Sequence, residues 1–227
     1  MANGPRMVEV RSAVPDLRRA YHFFSRLYPY LIAPLEIRSR RRAIELASIS
    51  CGDQILEVAV GSGNAFLEMA IQKGSSKGVT GIDLTPGMIQ VTRKRMARSG
   101  FPDVDIQEGD ARNLPFKDNS FDLVFNSYMI DLIPLKEIDG VLAEYTRVLR
   151  PGGRLILVNM SKKYPEKSFW YEWIYQSVPA WFATFILGGC RPVVLESHVR
   201  TLGYQEVIRE YYSFPMFCEI ISGIKGE

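Results

Sequence analysis

From Gln54 to Met160 the chain alternates short apolar runs with segments of helical period, and the changeovers are tight. "QILEVAV" (Gln54–Val60) reads as a strand and Asn64–Lys73 as a helix. "GVTGIDL" reads as a second strand, followed by a helix over Pro86–Ser99 with Pro86 in its first turn. "VDIQEGD" and "FDLVFNS" are further strands. Leu135–Leu149 is a helix ended by "RPGG", and "RLILVNM" is the fifth strand. Strands that alternate with helices through short turns must lie parallel, so both faces of the sheet are covered. In the tail, Pro192–Leu202 has helical character. "YQEVIREYY" and "FPMFCEIISGIK" read as an antiparallel pair at the sheet edge. The expected fold is α/β: a Rossmann-like, doubly wound, seven-stranded and mostly parallel sheet with an antiparallel edge.

Two segments stand outside that pattern. Asp16–Ser50 has Leu17, Ala20, Tyr21, Phe24, Tyr28 and Leu31 at helical spacing, with Arg18, Arg19, His22 and Arg26 off that face. Pro29 and Pro34 divide it. Tyr164–Leu187 carries all three tryptophans, Trp170, Trp173 and Trp181, among other aromatics, and reads as a helical insertion. The expected organisation is one domain: an N-terminal helical lid over 1–50, a cofactor-binding core over 51–160, the insertion over 161–190, and a C-terminal helix with strands over 191–227.

The chain is 227 residues long with 47% hydrophobic residues, enough for a sizeable core. The net charge of +3 is too nearly balanced to point to nucleic acid. Cys51, Cys190 and Cys218 form no paired motif, which fits reduced thiols and a cytoplasmic setting. "MANGPRMVEV" lacks an apolar signal core, and Val178–Gly189 is too short to span a bilayer. Arginines crowd the first fifth of the chain, and with the aromatic insertion they allow contact at a membrane surface. Neither His22 nor His198 has neighbours at ligand spacing, so no metal is expected.

The turn "EVAVGSGNAFLEMA" (Glu57–Ala70) follows the first strand and opens a helix. A dinucleotide turn would carry a third glycine where Phe66 stands. Asp83 ends the second strand, where a carboxylate can accept both ribose hydroxyls of a nucleoside or cap the next helix. "EGDARNLPF" places Asp110 and Ala111 after the third strand, where a carboxylate could accept from an adenine amino group.

These motifs together resemble a class I S-adenosylmethionine-dependent methyltransferase, and most closely the ubiquinone/menaquinone-biosynthesis methyltransferases. "LEVAVGSGN", "GIDLTPGMIQ", "GDARNLPF", "FDLVFNSYMI" and "RVLRPGGRL" carry the resemblance, which covers Ile55 to Asn159. It implies S-adenosylmethionine as cofactor. Glu57, Gly61 and Gly63 would shape the turn around its methionine part. Asp83 would hold the ribose, Leu84 would lie against the adenine, and Asp110 and Ala111 would meet the adenine edge. Asn126 would lie near the sulfonium, and Ala59 and Met88 complete the set. Asn64 departs from relatives with a third glycine.

In such chemistry the protein aligns a nucleophile, excludes water and assists loss of a proton. Asp131 in "SYMIDLIP" is the candidate base and Tyr128 the second candidate. The aromatic segments point to a small apolar acceptor of quinol type, met by Tyr21, Tyr28, Trp170 and Trp173. An amine headgroup, a thiol-like acceptor and a non-catalytic cofactor-binding scaffold are the alternatives. The sequence leaves the oligomeric state open.

Overall fold

The computed structural model describes residues 6–11, 15, 19, 33–185 and 188–227. Its strands are β1 (Ile55–Val58), β2 (Val79–Asp83), β3 (Asp105–Glu108), β4 (Phe121–Ser127), β5 (Leu149–Met160), β6 (Gln205–Tyr212) and β7 (Cys218–Ile224). Its helices are α1 (Ala33–Leu46), α2 (Asn64–Lys73), α3 (Pro86–Arg98), α4 (Leu135–Val148), α5 (Trp170–Ser177), α6 (Ala180–Phe185) and α7 (Glu196–Thr201), with a 3-10 turn at Ile130–Leu132. The seven strands form one sheet in the order β3-β2-β1-β4-β5-β7-β6. β1 to β5 are mutually parallel. β7 runs antiparallel to both β5 and β6, so the expected antiparallel pair closes that edge with β6 outermost.

Strand alternation sorts the core into two layers. Val124, Leu155, Leu157 and Ile221 pack with Ile138, Val141, Leu142, Tyr145 and Val148 of α4 and with Val199 of α7. Their neighbours Leu123, Phe125, Ile156, Val158 and Ile220 pack on the other face with α1, α2 and α3, through Ala43, Phe66, Met69 and Met96. The buried positions of α4 recur at spacings of three and four, the apolar stripe a surface helix needs. Burying each large aliphatic side chain of these layers contributes roughly 1.5–3 kcal/mol before the entropy of ordering is subtracted.

Three elements differ from their sequence reading. β1 stops at Val58 because Ala59 takes φ 62 and turns the chain. β5 starts earlier than "RLILVNM": α4 ends at Val148 and β5 begins at Leu149, so "RPGG" ends the helix from within the strand, with Gly152 at φ 74. The C-terminal helix shrinks to α7 because Val193–Leu195 runs unwound into the core, Val193 N–H donating to Met160 O at 2.9 Å. Of the Asp16–Ser50 segment, only Arg19 and residues 33–50 are described. Leu17, Tyr21 and Tyr28 lie outside the described residues.

Candidate active site

In an open α/β sheet a crevice opens at the carboxyl ends of the strands where their order reverses. Here the reversal falls between β1 and β4, and a cavity of about 1170 Å³, counting its open mouth, lies there. Glu57, Ala59, Gly61, Asp83, Leu84, Met88, Asp110 and Ala111 all line it, and so does Tyr128. Four segments far apart in sequence thus converge on one space.

The glycine turn is held from below. Ala59, Gly61 and Gly63 have φ of 62°, 52° and 75°, the left-handed region. A Cβ at Gly63 would meet Thr92 Cγ2 at 2.5 Å, so the turn lies directly on α3. Thr92 Oγ1 donates to Gly61 O at 2.8 Å and Arg95 Nε donates to Ser62 O at 2.7 Å. Gly63 caps α2 and does not itself face the cavity.

Asp83 braces the same turn. Its Oδ2 accepts from Gly61 N–H at 2.9 Å and its Oδ1 from Thr85 N–H at 2.8 Å. Burial pushes this carboxyl up, and the two N–H groups pull it partly back. Asp110 is chelated by the Arg112 guanidinium, with Nε at 2.9 and 3.0 Å and Nη2 at 2.5 Å, which holds its carboxyl below the usual range. Asn126 is fully buried and off the cavity. Its Nδ2 donates to Val58 O at 2.7 Å, tying β4 to β1.

The structure adds two residues that sequence reasoning missed, Glu36 and Arg40 of α1. Both are buried, on a helical face with Ser39, Ala43 and Ala47. Arg40 donates twice to Glu68 Oε1, each at 3.1 Å, while its Nη1 has no hydrogen-bond partner among the described residues. Across the cavity Glu57 Oε2 is likewise buried without a partner. Burial pushes the Glu57 carboxyl well up, and the Arg40 charge opposes that. The signal was present as helical spacing: in "RSRRR", Arg40 shares a stripe with Ala43, Ile44 and Ala47.

The expected catalytic pair separates. Tyr128 follows β4 in the left-handed region, φ 53, a conformation a bulky side chain adopts only under constraint. Its hydroxyl lies 2.9 Å from Ser39 Oγ, and burial pushes the phenol well up. Asp131 is fully buried but turned away from the cavity, accepting from Met160 N–H at 3.1 Å through Oδ2. Burial raises its carboxyl to about 7. Its 3-10 turn presents Leu132, and then Ile133, to the cavity instead, so a base role for Asp131 loses its geometric support. Trp170 and Trp173 also lie away from the cavity, because α5 turns Glu172 and Tyr175 inward. Tyr21 and Tyr28 lie outside the described residues. Among the described residues no group of His, Cys, Asp and Glu is arranged to hold a metal.

Sheet order, glycine turn and cavity define the class: a doubly wound α/β domain that binds a nucleoside-bearing ligand at its switch point. Residues 55–153 match the family model described as a methyltransferase domain. Demethylmenaquinone methyltransferase of Symbiobacterium thermophilum is 40% identical over 114 residues, 50% of this chain and 45% of that protein. Ubiquinone/menaquinone biosynthesis C-methyltransferase UbiE of Geobacter sulfurreducens is 31% identical over 153 residues, 67% of this chain and 58% of that protein. The aligned part thus spans about half the length of these curated relatives. The fold also matches N-methyltransferase NodS of Bradyrhizobium japonicum, with TM-score 0.67, 15% identity, and 93% and 100% of the two chains covered. A methyltransferase of Thermotoga maritima gives 0.64 at 20% identity, covering 91% and 99%. The chain carries a class I S-adenosylmethionine-dependent methyltransferase domain, related to the ubiquinone/menaquinone-biosynthesis family.

The residues present fit that cofactor. The methionine end of S-adenosylmethionine bears one carboxylate and one ammonium. The cavity offers one unpartnered buried guanidinium nitrogen and one unpartnered buried carboxylate oxygen. Leaving either unmatched costs about 1–3 kcal/mol, more for a charged group, so the pair is built to be completed by a ligand of both signs.

Proposed function

We propose that the protein transfers a methyl group from S-adenosylmethionine to a small, apolar acceptor of quinol type. The observation that carries this reading is the mixed lining of the cavity. The charged Arg40 and Glu57 line it, and so do the apolar Met129, Leu132 and Ile133 and the Tyr128 phenol. When bound, the cofactor supplies an electrophilic methyl on its sulfonium, so the protein's own task is placement and exclusion of water. Arg40 would hold the cofactor carboxylate and Glu57 its ammonium. Asp83, already fixed by two N–H groups, would accept from the ribose. Leu84 and Ala111 would flank the adenine, and Asp110 would meet its amino edge once Arg112 shares or releases the carboxylate. Tyr128 would hold an acceptor hydroxyl by hydrogen bonding, because a phenol raised by burial keeps its proton at neutral pH.

Glu36 favours a second reading. It is a buried carboxylate on the cavity wall, one helical turn from Arg40, and could steady a cationic amine. The two readings separate when methyl-labelled S-adenosylmethionine is offered with a short-chain quinol and, separately, with a small primary amine. Label on the quinol supports the first reading. Label on the amine alone replaces it by the second. Tight cofactor binding with label on neither, and none on an extract of apolar metabolites, would leave a binding scaffold.

A further inference from the structure

All three tryptophans of the chain stand out in solvent: Trp170, Trp173 and Trp181 are 57%, 71% and 62% exposed. Tryptophan is among the side chains most buried on average, so three such rings in twelve residues need a reason. The face is not a loose loop. α5 buries Glu172 and Tyr175, and the Lys162 Nζ–Glu172 Oε1 ion pair beneath it measures 2.9 Å with both side chains nearly inaccessible. Arg11 donates to the carbonyls of Tyr175, Gln176 and Val178 and closes the far end of the helix. Trp170 and Trp173, three residues apart, therefore share an outward stripe fixed from behind.

The charge pattern says what covers this face. Between Ser168 and Thr184 the only charged residue is Glu172, and it is buried in its ion pair, so the outward positions carry no charge. Just outside that span, Lys163 and Lys167 are exposed and set their ammonium groups 5.5 and 4.8 Å from the Tyr164 ring centroid. Glu166 is the one acid among them. Exposed indoles with polar N–H edges, bordered by tyrosine and lysine, have the composition of an interfacial anchor: rings at headgroup depth, ammonium groups at the phosphates. Among the described residues no helix is long and apolar enough to cross a membrane, which fits contact from one side.

We infer that the Trp170–Trp181 face, with Lys163, Tyr164 and Lys167 at its border, docks the protein on an anionic phospholipid surface. The docking deepens the proposed apolar acceptor, since such a molecule resides in a bilayer. The link to the cavity is physical. Arg191, which follows the insertion, is fully buried and donates to Asp131 O at 2.7 Å and Ile133 O at 2.6 Å, on the turn whose Leu132 and Ile133 line the cavity.

The test is sedimentation with vesicles of phosphatidylcholine, with and without phosphatidylglycerol, in the absence of acceptor. The parent should bind the anionic vesicles, with a blue shift of tryptophan emission. Replacing Trp170→Ser and Trp173→Ser together should reduce binding tenfold or more. Lys163→Gln and Lys167→Gln should each weaken anionic binding roughly fivefold and leave binding to neutral vesicles unchanged. Affinity for S-adenosylhomocysteine serves as the control and should not move, because these side chains lie away from the cavity. Trp173→Ser alone, at the most exposed of the three rings, separates docking from the loss of Trp170 packing on Phe169, Tyr171 and Phe217. Failure of the parent to bind anionic vesicles at low salt, or equal binding by the tryptophan variant, overturns the proposal. So does a concentration-dependent dimer that the tryptophan variant abolishes without any vesicle binding. None of these results bears on methyl transfer to a soluble acceptor, which is measured separately.

Discussion

Arg40 and Glu57 meet the cavity as a charge pair, each with one polar atom unpartnered. A hydrogen bond to a charged group is worth roughly 1.5–3 kcal/mol. Arg40→Met should therefore weaken S-adenosylhomocysteine by about tenfold or more in calorimetric titration. Unchanged affinity in a folded variant would return Arg40 to a purely structural partner of Glu68. Asp83→Ala should lose at least as much, for a second reason: it also frees the Gly61 and Thr85 N–H groups that hold the turn. Asp131 gives a signature in stability rather than in binding. Its folded carboxyl titrates near 7 against an unfolded value near 3.8. The folded state thus keeps a proton that the unfolded chain has lost, and the stabilisation present at low pH disappears as pH rises through 7. Between pH 5 and pH 8 this single group should remove about 3 kcal/mol. Urea denaturation of Asp131→Asn, which keeps an acceptor for Met160 N–H, should show that part of the slope abolished. An identical pH profile in the variant would mean that Asp131 is ionised in the fold throughout.

At the scale of elements, what the sequence made legible was whatever the backbone enforces locally. Short apolar runs bounded by turns identified all seven strands, and "GSGN" marked the turn, because a left-handed chain entering a helix needs glycine. What escaped it was direction. Asp131 sits one residue from Leu132, which faces the cavity, and only the 3-10 turn decides which of the two points in. Arg40 escaped because a buried arginine looks, in "RSRRR", like its solvated neighbours until the stripe of α1 is followed into the core. Trp170 and Trp173 were read as substrate contacts on composition, whereas α5 turns Glu172 into its buried ion pair and leaves both rings outward. The glycine turn supplies its own test. Gly63→Ala places a methyl group against Thr92 and demands φ 75 from a residue with a Cβ. The left-handed conformation costs roughly 1–2 kcal/mol and overpacking typically 1–3 kcal/mol. For a chain of this length each kcal/mol lowers the melting temperature by about 2–4 °C. A shift of under one degree by calorimetry would mean that α3 yields freely and the turn is not pinned.

Over the whole molecule, the sheet divides two tasks between its neighbours. α1 brings Glu36 and Arg40 to the cavity wall, while the insertion carries its tryptophans to the outside and is followed by Arg191, which holds the 3-10 turn at the site. If the insertion closed over the cavity together with the N-terminal helices, ligand would slow exchange in both. The geometry predicts a split. Addition of S-adenosylhomocysteine should protect amides over residues 33–46 and 59–64, because Arg40 and the glycine turn gain partners there. The same addition should leave residues 170–185 unchanged. Anionic vesicles should do the reverse, slowing exchange in 170–185 and leaving the glycine turn as it was. Hydrogen exchange read by mass spectrometry resolves both segments in one experiment. If ligand alone protects 170–185, the contacts of Arg191 to Asp131 and Ile133 transmit closure. The insertion is then a lid, and the exposed tryptophans describe its open position.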